Sequence, residues 1–285
     1  MKIGLSTCGG KLNNKNFFEN CAKAGIDCIE IAIGDSKCEG WDYKNTRKLA
    51  DEYGVELWSY HLPFSPFSTN DISSTKEEKR RNTVELQKSL INKVGEIGVK
   101  HFVIHPSAEP IEPFDRRERL LRSKESLSEL QNEADKFGGI ICVEDLPRTC
   151  LGRNSYDIRE LIKDDDRLKV CFDTNHLLGE YIPEFIRNVG DRIVTLHVSD
   201  YDFWNERHWL PGEGDIDWNE LYGELIKIGY NGPWLYEVSF DAPWSLKRAA
   251  DLTCEDFVRN ANGIFRGEKP LPMGKPIEIL SFWPE

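Results

Sequence analysis

Short apolar runs alternate with longer amphipathic stretches from the first residue to about residue 260. The short runs are Lys2–Ser6, Cys28–Ile33, Glu56–His61, His101–His105, Ile140–Glu144, Lys169–Asp173, Ile193–Val198 and Trp234–Val238. Their length and their β-branched and aromatic content predict strands. Between them, apolar positions three and four apart predict helices, among them Asn16–Ala24, Tyr43–Tyr53, Lys76–Ile97, Arg116–Lys136, Asp157–Lys163 and Trp218–Ile228. Gly25, Gly54, Gly98 and Gly229 each follow a helix and precede a strand, where a left-handed cap favours glycine. Ser155 is the expected N-cap of the helix that contains Asp157.

Strands that each lead into a helix predict a parallel sheet with crossover helices. Eight units of roughly 30 residues fill the usual length of a closed barrel, so the expected fold is α/β, a single (β/α)8 barrel over residues 1–262. An open doubly wound sheet is the alternative, but STCGGK after the first strand is a poor GxGxxG phosphate turn. Residues 263–285 break the pattern: their four prolines exclude a regular helix. Phe265, Ile277, Ile279, Leu280, Phe282 and Trp283 make the same segment too apolar for a disordered tail. It is expected to pack, extended, on the barrel or on a neighbouring subunit of a homo-oligomer.

Composition narrows the setting. No apolar run approaches the roughly 20 residues that span a bilayer, and the N-terminus enters a strand without a leader pattern; the cytoplasm is the expected location. Eight cysteines without a CxxC pair fit reduced thiols there. A formal charge of −12 argues against nucleic acid or an anionic membrane as partner.

Chemistry enters at the strand ends. In such a barrel the C-terminal ends of the strands carry the site, and side chains alternate in and out along each strand. Counting back from each end points Glu144, Cys142 and Ile140 inward on the fifth strand, and Asp173 and Cys171 on the sixth. The seventh points His197, Thr195 and Ile193 inward, and the eighth Glu237 and Leu235. Four successive strands thus end in a group able to bind a metal. Three carboxylates and one imidazole favour one hard divalent ion, Mn²⁺ first, with Mg²⁺, Co²⁺ or Zn²⁺ as alternatives. His61 and His105 end the third and fourth strands, His176 follows Asp173, and Arg207 and His208 precede PGEGDIDW; all five are expected to bind substrate. His101 shares the facing of His105 but belongs to the opposite rim. Trp58 and Tyr60 are expected to face the helices. Phe64, Phe67, Phe203, Trp204 and Trp209 give the mouth an apolar part suited to a sugar ring or an aromatic aglycone. No phosphate cradle is visible.

The motifs VED (Val143–Asp145), FDTNH (Phe172–His176), LHVSD (Leu196–Asp200), RHWLPGEGDIDW (Arg207–Trp218) and YEVS (Tyr236–Ser239) give the chain a specific resemblance. It resembles the xylose-isomerase-like barrel superfamily of sugar isomerases and epimerases, which also includes endonuclease IV. The resemblance implies that Glu144, Asp173, His197 and Glu237 are the metal quartet and that the two glutamates act as acid and base on opposite faces of a sugar. It implies further that His176 binds a substrate oxygen and that Arg207 or His208 holds the reactive end. Asp145 departs from the Asn that commonly follows the first glutamate, which puts the hydrogen bonding around Glu144 in doubt.

The expected function is therefore a metal-dependent isomerase or epimerase of a sugar or related hydroxy-carbonyl compound, acting by proton transfer through a metal-stabilised enediolate. A lyase or dehydratase on the same scaffold, of the inosose dehydratase or C-glycoside deglycosylating kind, starts with a similar proton removal. An endonuclease IV-like abasic-site nuclease would use His61, His105 and Glu144 for one zinc and His176, Glu206 and His208 for another. A metal-stabilised scaffold without activity is the remaining alternative.

Overall fold

Backbone groups on buried strands must pair, and parallel strands pair with their sequence neighbours when a helix carries the chain back each time. A computed structural model, describing residues 1–8 and 14–277, shows that arrangement. Its wall consists of β1 (Ile3–Ser6), β2 (Cys28–Ala32), β3 (Glu56–His61), β4 (His101–Ile104), β5 (Ile140–Glu144), β6 (Lys169–Asp173), β7 (Ile193–His197) and β8 (Trp234–Tyr236). These eight parallel strands run in the order β7-β6-β5-β4-β3-β2-β1-β8. Between β7 and β8 a parallel bridge joins Val198 to Tyr236, and the Glu237 N–H donates to the Val198 carbonyl at 3.1 Å. The sheet thereby comes round into a barrel.

The helices are α1 (Lys15–Ala24), α2 (Asp35–Cys38), α3 (Tyr43–Tyr53), α4 (Glu77–Gly95), α5 (Arg116–Ala134), α6 (Ser155–Ile162), α7 (Ile182–Val189), α8 (Trp218–Lys227) and α9 (Cys254–Phe265). At α1 and α3 the chain turns back to the barrel through left-handed Gly25 and Gly54, with φ of 91° and 67°. Helix α6 corrects one expectation: Asn154, not Ser155, is its N-cap, because the Asn154 side chain accepts the Asp157 N–H at 2.9 Å. Ser155 sits inside the first turn and donates to Glu180. Among the described residues no helix is long and apolar enough to cross a membrane.

Most of the core lies between strands and helices, where Phe102, Ile141, Val143, Phe172, Leu196, Trp234 and Tyr236 are buried. A small second cluster of Val103, Cys142 and Cys171 fills the barrel interior, with Ile140 and Val194 against it. Two slips of register change facings that strict alternation predicts, since one extra residue in a strand reverses, relative to a count made back from the strand end, the residues at and before the slip. The β6–β7 pairing slips between Val170 and Cys171, so Val194 rather than Ile193 lies against the inner cluster. The β2–β3 pairing passes from Leu57 to Ser59. Trp58 therefore turns into the barrel instead of towards the helices: its indole donates to Thr195 Oγ1 at 3.1 Å, and its ring stacks on His101 at 4.1 Å between centroids. Tyr60 keeps its outward facing, its hydroxyl 3.0 Å from that of Tyr43 on α3.

Helix α9 runs to Phe265, past the Asn262 boundary expected from the prolines. Beyond it β10 (Gly274–Pro276) pairs antiparallel with β9 (Leu246–Arg248), a strand of the segment after β8. Ile279, Leu280, Phe282 and Trp283, expected to be part of the packed tail, lie outside the described residues.

Candidate active site and metal centre

Glu144, Asp173 and His197 are the last residues of β5, β6 and β7, and Glu237 follows β8 by one residue. The barrel brings one ligand atom of each within 4.8 Å of the others. His197 Nδ1 lies 3.1 Å from Glu144 Oε1, 3.4 Å from Glu237 Oε2 and 3.9 Å from Asp173 Oδ2. Asp173 Oδ1 is fixed by the Asn175 N–H at 2.7 Å, whereas its buried Oδ2 has no hydrogen-bond partner. An unpartnered buried carboxylate oxygen is costly, and costlier beside two more carboxylates. A divalent cation offsets that cost, and three oxygens with one imidazole nitrogen suit a hard ion. The residues present fit such a group.

Behind the quartet stands a residue that strand-end reasoning missed. Glu30, in the middle of β2, is fully buried and accepts hydrogen bonds from Ser6 Oγ at 2.9 Å and Ser59 Oγ at 2.8 Å. Its Oε1 lies 3.0 Å from His197 Nε2. A carboxylate there retains the proton on Nε2 and leaves the Nδ1 lone pair to the cluster. The signal in the sequence was an acid inside the otherwise apolar run CIEIAI.

Four of the five other expected residues surround the quartet. His61 and His105 turn Nε2 towards Glu144 Oε2, at 3.2 and 3.3 Å. His176 places Nε2 at 3.1 Å from Glu206 Oε1, and His208 Nδ1 stands 3.7 Å from Glu237 Oε2. Arg207 stands apart: its guanidinium pairs with Asp202 at 2.7 Å and lies over the Trp209 ring. Asp145 does not turn to Glu144 either. Its Oδ1 accepts the Asp173 N–H at 2.7 Å and its carbonyl meets His176 Nδ1 at 2.7 Å, so it ties β5 to the loop after β6.

This crowding separates the two glutamates. Burial would raise the Glu144 carboxyl, but His197 and His105 beside it hold it well below the usual range. Burial pushes Glu237 up to about 7, against the pull of His197 and His208. Burial also disfavours charge on His61, yet the Glu144 contact carries it up to about 9. Arg148 and His208, which border the cavity, both hold left-handed backbone, at φ 53° and 50°. Such strain collects where side chains must be aimed.

The cavity over the quartet has a volume of about 340 Å³ and is lined by His61, His105, Glu144, His176, His208 and Glu237 among others. A wider one of about 1110 Å³ opens beside it and contains Arg207. Arg148 borders both, bonded to Glu109 at 2.5 Å and Glu206 at 2.7 Å. The PGEGDIDW segment has a structural explanation. It winds round the buried Asp200 carboxylate, whose Oδ2 accepts from the Gly212 N–H at 2.8 Å and from the Trp218 indole at 2.9 Å.

Known proteins share this geometry's framework. The xylose isomerase-like TIM barrel family matches residues 18–254 of the chain. A fructoselysine 3-epimerase of Shigella flexneri is 26% identical over 249 residues, covering 81% of this chain and 88% of its own. A D-psicose 3-epimerase of Ruminiclostridium cellulolyticum is 28% identical over 235 residues, covering 78% and 77%. The crystal structure of a D-tagatose 3-epimerase-like protein superposes with a TM-score of 0.74 at 29% identity, over 83% of this chain and 90% of that one. With strands, helices and matched span in agreement, the chain belongs to the xylose isomerase-like TIM barrel family.

Proposed function

We propose that the protein is a divalent-metal-dependent sugar epimerase or isomerase that moves a proton at the carbon next to a ketose carbonyl. The observation that carries this is the convergence of Glu144 and Glu237 with Asp173 and His197 on one point at the mouth of the barrel. The three named relatives, all sugar 3-epimerases or epimerase-like, support the same reading. Glu144, Asp173, His197 and Glu237 would hold the ion, with Mn²⁺ the first choice. When bound it would polarise the substrate carbonyl and acidify the adjacent C–H.

The chain's own groups supply the rest. Glu237, ionised once held in the charged cluster, takes the proton from one face of that carbon; the charged His61, whose Nε2 lies 3.2 Å from Glu144 Oε2, passes its proton to Glu144, which delivers it to the other face. The histidines at 61, 105, 176 and 208 hold the hydroxyls, so the reacting carbon stays between the glutamates.

Chelator-stripped protein reloaded with Mn²⁺ should exchange the C3 proton of D-fructose or D-psicose for deuterium in D₂O, read by NMR. Absence of exchange across a panel of ketohexoses, with metal shown to be bound, would refute the proposal. Glu237→Gln should lower the exchange rate at least a thousandfold and still bind metal.

One set of contacts favours a second reading. His61 and His105 both approach Glu144, and His176 approaches Glu206, so three cations could sit where one is proposed. That arrangement would suit cleavage of abasic-site DNA. Three zinc ions per chain together with strand cleavage would establish it; one ion per chain and intact DNA would dismiss it.

A further inference from the structure

The two cavities differ in size and in character, and Glu237 belongs to both. The inner one, of about 340 Å³, contains Glu144 and most of the histidines. It sits at the small end of the roughly 300–1,000 Å³ that ligands occupy, enough for one monosaccharide. The outer one, of about 1110 Å³, continues from it past Glu206 and His208 and contains none of the proposed ligands except Glu237. A monosaccharide with its reacting carbon between the two glutamates leaves that outer space empty.

The outer walls are not those of an ion site. Trp204 and Trp244 line it and are 86% and 75% exposed, while Leu178 and Pro243 add apolar surface. Its two arginines are already paired, Arg148 with Glu109 and Glu206, and Arg207 with Asp202, so neither is free to hold an anionic group. Ser239 and Asn205 add uncharged polar groups. Indole faces beside neutral hydrogen-bonding groups match a flat, hydroxylated or aromatic ring without charge.

Resting on the epimerase reading, we infer that the substrate is a ketose carrying a second uncharged ring, with the ketose in the inner cavity and the second ring against Trp204 and Trp244. Because the proposed metal ligands would hold the carbonyl end in the inner cavity, the ring is placed on the sugar end remote from the carbonyl; a glycosyl ring and an aryl ring both satisfy this.

The test compares D-fructose with isomaltulose, which is fructose with a glucosyl ring on its O6, with 6-O-benzyl-D-fructose, and with D-fructose 6-phosphate. For the Mn²⁺-loaded protein, kcat/KM for isomaltulose or the benzyl ether should exceed that for fructose at least tenfold; the larger of the two identifies the ring. The phosphate should show no such gain. In the double variant Trp204→Ala/Trp244→Ala the ratio of ringed ketose to fructose should fall to about one, while the Trp→Phe pair should retain it. A ratio near one in the wild type, a preference for the phosphate, or a ratio that survives both alanines would overturn the inference. So would sedimentation showing that the wild type is a dimer and the alanine variant a monomer, since the indoles would then be a subunit contact. Equilibrium binding to metal-loaded Glu237→Gln protein separates the two proposals. At least tenfold tighter binding of a ringed ketose, without proton exchange by the wild type, would keep the subsite and dismiss the epimerase. Exchange of fructose with no ring preference would do the reverse.

Discussion

Glu30 reaches the candidate metal only through His197, yet it is as buried as the ligands themselves. Its role is therefore to position. Glu30→Gln removes the charge that retains the Nε2 proton, and such outer partners change metal affinity by about 10–100-fold. Titration calorimetry with Mn²⁺ should show that weakening with an unchanged far-UV spectrum; unaltered affinity would leave Glu30 a packing role only. Glu237 gives a second test at this scale. A raised carboxyl is protonated below its pKa, and with Glu237 pushed up to about 7 the ion must displace that proton in acid. Metal affinity should thus fall as pH drops below 7, by up to about tenfold per unit from this one group. Calorimetry at pH 6 in buffers of different ionisation enthalpy should record proton release that fades by pH 8. The quartet was legible in the sequence because each member stands at or just past a strand end, where alternation can be counted. Glu30 was not, because its partner is 167 positions away and only the closed barrel joins them.

At the scale of elements, strands and helices followed from periodicity, but facings failed wherever pairing slipped. Trp58 and Ile193 are the two cases, and both lie at a register shift that depends on the neighbouring strand and leaves no mark in the local pattern. The loop after β7 shows the converse. Its motif was legible as a string, but its reason needed the fold: it encloses Asp200. Gly214 makes the closest approach there, and an added Cβ would stand 2.4 Å from the Tyr201 carbonyl and 2.5 Å from Asp200 Oδ1. Overpacking of this kind costs about 1–3 kcal/mol. Gly214→Ala should lower stability by that amount in urea unfolding, and should also reduce turnover because His208 lies on the same loop. A variant of wild-type stability would mean that the loop yields easily.

For the whole molecule, the issue is what seals a barrel whose β7–β8 seam rests on Val198. Trp234 on β8 is fully buried, and Phe265 meets it edge-on at 5.6 Å while stacking on Tyr222 of α8 at 5.3 Å. Ile264 beside it is fully buried too. Farther on, β10 pairs with β9, where Arg248 and Glu213 form an ion pair with side chains 1% and 0% exposed. The described part of the C-terminal segment therefore packs on its own barrel in two places, one at the helix layer and one beside the site. A chain ended after Asn262 loses both, and deleting one buried aromatic alone costs about 3–5 kcal/mol. Such a chain should aggregate or melt far below the full protein, whereas one ended after Ile277 retains every contact described. Arg248→Met isolates the second place: Glu213 would remain buried and unpaired, which costs about 3–5 kcal/mol. If thermal melting places the Asn262 truncation level with the full chain, the helix-layer contacts do not hold the seam. If Arg248→Met alone reproduces the whole loss, the ribbon rather than α9 closes the barrel.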